Sequence, residues 1–302
     1  MRVLTIVVCA TIACARPRPA PGESPPAEAV MASDDRAVGD DAGDEARVAM
    51  LRALVAASRG ADQLDARARL FEQLAGSAQP ADQVEALAIA AALVAAPGFA
   101  ALPQADAVLY GQGAALARAG DGVGARAAWR RLGADYPASR WGPPAIVELA
   151  DQAFAAGDPN TAPPLYPRAL ADPAVGGYAR YKRGWCAYDL GDGAQALADF
   201  LDVARTARDP LRFEALKDLV RAYADVGEVT KAAAFFRVID RAHVGAHLLR
   251  LGQHYLDIGK LREARRALTD AQPLLPAADA CRAEAALARA AWLGGDRSAT
   301  AV

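Results

Sequence analysis

Tyr178, Tyr181, Trp185 and Tyr188 stand at i, i+3, i+7 and i+10, a spacing that sets four aromatic rings on one face of a helix. Lys217 and Arg221 share a face of a later helix, and Phe154 lies on an earlier one. An aromatic wall beside two cations suits an extended peptide carrying apolar and acidic side chains, because Tyr, Trp and Arg dominate binding hot spots. Rings at helical spacing also pack between neighbouring helices, so the same pattern fits a scaffold interior.

Other chemistry is sparse. His243 and His247 are four apart and His254 is seven further on, but Gly245 falls in a predicted junction and no carboxylate is placed as a third ligand. There is no C-x-x-C, H-E-x-x-H, G-x-S-x-G or phosphate-binding loop, so neither a metal nor a cofactor is expected. Gly111-Gln112-Gly113 and Gly120-Asp121-Gly122-Val123-Gly124 follow no strand and read as close helix packing and a turn. Cys186 and Cys281 lie almost three structural units apart, too far for a disulfide, and read as small buried side chains.

The elements that must position these residues are helical. Of 302 residues, 78 are alanine while Phe, Tyr and Trp make up 6%, a composition that favours helices over a sandwich or barrel. A net charge of −2 removes the electrostatic case for nucleic acid. From Asp44 onward, apolar residues recur at helical spacing; Asp44 to Ser58, Asp62 to Ala75 and Asp82 to Ala96 read as the first helices, each opening near an Asp suited to N-capping.

The N-terminus is different material. Val3 to Ala13 is an apolar run of eleven residues after Arg2, too short for a membrane span of ~20 residues and fitted to an export signal. Thr11-Ile12-Ala13-Cys14 resembles the lipobox of bacterial lipoproteins, with Thr11 where that family usually has Leu. The resemblance implies lipidation at Cys14, an anchored membrane attachment and, from Ala15, the outer membrane. Residues 14–43, with Pro17, Pro19, Pro21, Pro25 and Pro26 and then Asp34, Asp35, Asp40 and Asp41, read as a disordered tether.

A Gly followed by a polar residue recurs at Gly120, Gly157, Gly191, Gly227, Gly259 and Gly295, at spacings of 37, 34, 36, 32 and 36. Gly ends one helix in the left-handed conformation and the next residue starts another, so each unit is helix, turn, helix. Leu248, Leu251, Gly252 and Tyr255, then Ala264, Leu268, Ala271 and Pro276, resemble the tetratricopeptide (TPR) pattern; so, less fully, do Gly113, Ala125, Trp129 and Pro137, then Gly184, Ala196 and Phe200, then Tyr223, Ala232 and Phe236. The resemblance implies an all-α, right-handed α-α superhelix. It assigns 1–13 to the signal, 14–43 to the tether, 44–105 to a helical cap or degenerate repeats, and 106–302 to five repeats plus a truncated sixth. Pro163, Pro164 and Pro167 should make the second helix of the second repeat start late or kink.

In TPR proteins the first helix of each unit lines a concave groove. The resemblance therefore implies that Tyr178, Tyr181, Trp185, Tyr188, Lys217, Arg221 and Phe154 face a protein or extended-peptide partner rather than a small-molecule substrate. The run from Glu214 to Arg221 and on to Phe235-Phe236 resembles TPR lipoproteins of gliding-motility envelope machinery. A lipoprotein of outer-membrane protein assembly and a protein attending peptidoglycan synthesis are rival readings. A helical-repeat enzyme that cleaves cell wall needs a positioned carboxylic acid, and no acidic residue stands out from the capping and surface set.

Overall fold

The computed structural model describes residues 41–295, with side chains from residue 43. Cys14, the apolar run before it and nearly all of the tether lie outside the described residues, as does 296–302. The described residues form fourteen α-helices and no strand, stacked in chain order as an all-α solenoid. We number them α1 Asp41–Ala57, α2 Gly60–Ala75, α3 Pro80–Ala95, α4 Ala105–Arg118, α5 Gly122–Asp135, α6 Gly142–Ala155 and α7 Ala162–Leu165. Then follow α8 Gly176–Asp189, α9 Gly193–Thr206, α10 Leu211–Val226, α11 Ala232–Ile239, α12 Val244–Asp257, α13 Leu261–Ala271 and α14 Ala277–Leu293.

The helical hairpin is built the same way at Gly120-Asp121, Gly157-Asp158 and Gly191-Asp192. At the α8–α9 turn Gly191 has φ +83°, Asp192 N–H reaches back to Ala187 O at 2.8 Å, and the Asp192 carboxylate accepts from Gln195 N–H at 3.0 Å. One residue pair thus closes one helix and opens the next. Gly120, Gly157, Gly259 and Gly295 also have positive φ. Gly227 does not: it is extended at φ −82° and ψ 155°. Its lack of a side chain serves packing instead, because a Cβ there would lie 2.6 Å from the Tyr223 ring.

Within a hairpin, a small residue on the first helix receives a large one sixteen residues later. A Cβ on Gly184 would lie 2.9 Å from Phe200, and Gly113 and Gly252 sit closer still to Trp129 and Leu268. Alanines at zero exposure, among them Ala125, Ala179, Ala196 and Ala264, bring the helix axes together, which accounts for the alanine content. One core runs from Leu51 to Ala145 and a second from Val147 to Ala290, so α6 contributes to both.

Three expectations need correction. Asp62 and Asp82 lie inside the first turns of α2 and α3, behind Arg59 and Gln79, which make no side-chain cap; Asp82 instead accepts from Ser77 Oγ at 2.6 Å. The first helix, expected from Asp44, already covers Asp41, where the described residues begin. The prolines break the second helix of that repeat more than they delay it: four residues of α7 give way to a 3-10 turn, Tyr166–Ala169.

Candidate functional site

The first helix of each hairpin from 142 onward is α6, α8, α10 and α12, and their equivalent faces carry the predicted site residues. Three of those residues are interior. Tyr178, Tyr181 and Trp185 keep only 2%, 0% and 3% of their surface, against core residues of α6, α9 and α10. They are therefore corrected from groove lining to inter-helix packing: α8 is flanked on both sides, and bulky rings fill the seams. Trp185 meets Phe200 and Tyr188 edge-on, each at 5.7 Å. Phe154, Tyr188, Lys217 and Arg221 remain half-buried.

Buried hydroxyls need acceptors, and two carboxylates supply them. Asp151 on α6 accepts from Tyr166 Oη at 2.5 Å and from Tyr178 Oη at 2.9 Å. Burial pushes the Asp151 carboxyl up, while the nearby Lys182 charge and the two hydroxyls pull it back. Lys182 is itself only 5% exposed, with its ammonium 3.9 Å from the Phe154 ring centroid. Burial lowers its pKa against the pull of Asp151. Beside it, burial pushes the Cys186 thiol up to about 12, which removes its nucleophilic form near neutrality.

The second carboxylate is Asp218 on α10, 2% exposed, which accepts from Tyr181 Oη at 2.6 Å. Burial pushes it up to about 6, with the Tyr181 hydrogen bond and the Arg221 and Lys217 charges opposing. Lys217 Nζ donates to Glu214 at 3.1 Å, and the Arg221 guanidinium lies 5.7 Å from the Trp185 ring centroid. The buried indole N–H of Trp185 closes no hydrogen bond with a described residue.

Composition and single-helix spacing miss Asp151, Lys182, Asp218 and Arg250. The repeat register holds the signal. Glu148, Lys182, Asp218 and Arg250 are separated by 34, 36 and 32 residues, the same spacings as the turn glycines from Gly157 to Gly259. One position of the repeat therefore carries charges of alternating sign along the stack, and each charge neighbours groups from the next helix. Such a ladder favours neighbours in the correct order, since like charges brought together cost free energy.

The histidines also find a partner that spacing did not reveal. Asp240 accepts from or pairs with His243 Nδ1 at 3.0 Å and His247 Nε2 at 2.9 Å, and His247 stacks on Phe236. Burial works against the Asp240 charge, but the two imidazoles hold its carboxyl below the usual range. No group of three His, Cys, Asp or Glu among the described residues is arranged to hold a metal. Cys186 and Cys281 are both free, the first buried as expected and the second exposed. No helix among the described residues is long and apolar enough to cross a membrane. A scan against protein-family models finds no match, and a search of curated proteins finds none either.

Proposed function

We propose that the chain is a TPR-type scaffold of the bacterial envelope, held to the outer membrane by lipid on Cys14 and facing the periplasm. It binds a protein or extended peptide along the shared face of α6, α8, α10 and α12, within an envelope or motility complex. The observation that carries this reading is that the first helix of each hairpin keeps half-buried polar or aromatic side chains: Phe154, Tyr188, Lys217, Arg221 and Arg250. The buried rings beneath them hold that surface rigid, and a preorganised surface loses less entropy on binding. Its work is binding rather than catalysis: the raised carboxyls of Asp151 and Asp218 are engaged by tyrosine hydroxyls within the stack.

The test is affinity capture after cross-linking in intact envelopes, run with the wild-type chain, Arg221→Glu and Cys14→Ala. The wild type should recover a defined polypeptide from the membrane fraction. Arg221→Glu should lose it while the chain keeps its helical circular-dichroism spectrum, and Cys14→Ala should leave the membrane fraction. Equal capture by wild type and Arg221→Glu would contradict the binding face, and unchanged partitioning of Cys14→Ala would contradict the anchor.

A further inference from the structure

α14 closes the described stack, and its inner face is already used: Ala283, Ala286, Ala290 and Ala291 are buried against the preceding hairpin. The opposite face is apolar too. Ala278, Cys281, Ala285, Ala288 and Trp292 recur at steps of 3, 4, 3 and 4, which sets them in one line along the helix. Ala288 is half-buried and the rest are exposed, Trp292 at 60% with Leu293 beside it at 44%. A helix that ends a stack of repeats ordinarily turns a polar face to water, which keeps the ends from sticking. An exposed indole on an apolar line does the reverse.

Steps of three and four are those of a two-stranded coiled coil, and they fix which residues flank the line. Glu284 and Arg289 stand on opposite flanks, five residues apart. Both are exposed, and neither is paired with any described residue. In a parallel pair of such helices, a residue on one flank meets the residue five further on in the other chain. Glu284 would then face Arg289 of the partner subunit, and two-fold symmetry supplies that pair twice. In an antiparallel pair like flanks meet, so acid would face acid and the Arg282–Arg289 flank would face itself. The charges therefore select the parallel arrangement. α1, at the other end, also exposes Met50 and Leu54, but Ala49 and Ala56 stand where its pairing acids would have to be.

Independently of the binding face proposed above, we infer that α14 is a self-association surface. It pairs with α14 of a second copy, parallel and about a two-fold axis, covering Trp292 and setting Cys281 beside Cys281 of the partner subunit. The alanines of the line let the two backbones approach closely. One helix per chain places this contact at the small end of specific interfaces, so the dimer populates at high local concentration and not in dilute solution.

Sedimentation equilibrium on the full chain between ~10 μM and ~1 mM should show monomer and dimer in equilibrium. Arg289→Glu should weaken the dimer roughly tenfold, and Glu284→Arg likewise, because two attractive pairs become two repulsive ones. Combining the two substitutions should restore it, since the pairs re-form with their signs exchanged. Trp292→Ala should weaken it at least about tenfold. Met50→Glu should change nothing. A short bis-maleimide should join two chains in the wild type, and Cys281→Ser should lose that product. A chain monomeric up to ~1 mM, or charge variants that weaken singly without rescue in combination, would overturn the inference. So would a dimer without the Cys281-dependent link, which would mark another arrangement. Open-ended assembly abolished by Met50→Glu would contradict it as well, by placing the contact between α14 and α1. The substituted side chains are all exposed in the single chain, so an unchanged circular-dichroism spectrum separates lost association from lost folding.

Discussion

Trp185 shows how a residue's role follows from its surroundings. Its ring is packed between Phe200 and Tyr188 under the Arg221 guanidinium. Trp185→Ala should therefore cost ~3–5 kcal/mol of stability, read by urea unfolding, because it empties a core site. A loss under ~1 kcal/mol would return the ring to the surface. Asp218 carries a signature of its own. Its folded pKa rises from an ordinary 3.8 to about 6, so the folded state holds the proton more tightly than the unfolded chain. The stability this group contributes is complete below about pH 4 and is lost as pH rises through 6, on the order of 3 kcal/mol. Asp218→Asn, which leaves Tyr181 an acceptor, should flatten that part of the melting-temperature profile; an unchanged profile would place the carboxyl in water. The i, i+3, i+7 spacing placed the aromatic rings on one face correctly, but spacing alone does not say what lies opposite. Burial was decided by α9 and α10, which supply Phe200 and Asp218 from fifteen to thirty-seven residues away.

At the scale of the element, the hairpin is the unit that sequence makes legible. Gly closes the first helix and an acid opens the second, and both contacts are local, so the turns could be read directly. Gly191→Ala should cost ~1 kcal/mol from left-handed backbone strain, since the φ of +83° disfavours any side chain. Gly184→Ala should cost ~1–3 kcal/mol by a different route, the clash with Phe200. Thermal melts of the two variants, with Gly191→Asn as a residue that tolerates positive φ, distinguish the causes: Asn should restore part of the loss. Gly227 looked identical in sequence and is not, because the Tyr223 ring covers it and a 3-10 turn, Val229–Lys231, replaces the acid cap. The proline-broken α7 was foreseen from Pro167, whereas Tyr166 as the donor that caps Asp151 was not, because its partner is on a different helix.

Across the whole molecule, helices pack mainly with their neighbours in sequence, so stability should accumulate locally along the stack. The densest run of buried residues lies in α8, α10 and α12, which with α6 carry the charge ladder and the tyrosine–carboxylate bonds. Hydrogen exchange should be slowest in those three helices and fastest in α1 and α14 at the ends of the described stack. Uniform protection would mean one cooperative block instead of coupled repeats. The ladder was present in the sequence all along, but only after the repeat period is fixed do Glu148, Lys182, Asp218 and Arg250 fall into one column.

The claim on which the account turns is that one face of this stack, made by the first helices of successive hairpins, is where a polypeptide binds. A photo-cross-linking residue placed at Gln253 on α12, and separately at Val238 on the outer surface of α11 (77% exposed), tests it in intact envelopes. Adducts of one defined mass from position 253, absent from position 238, are the predicted result. Adducts from 238 alone, or the same adducts from both, would contradict it.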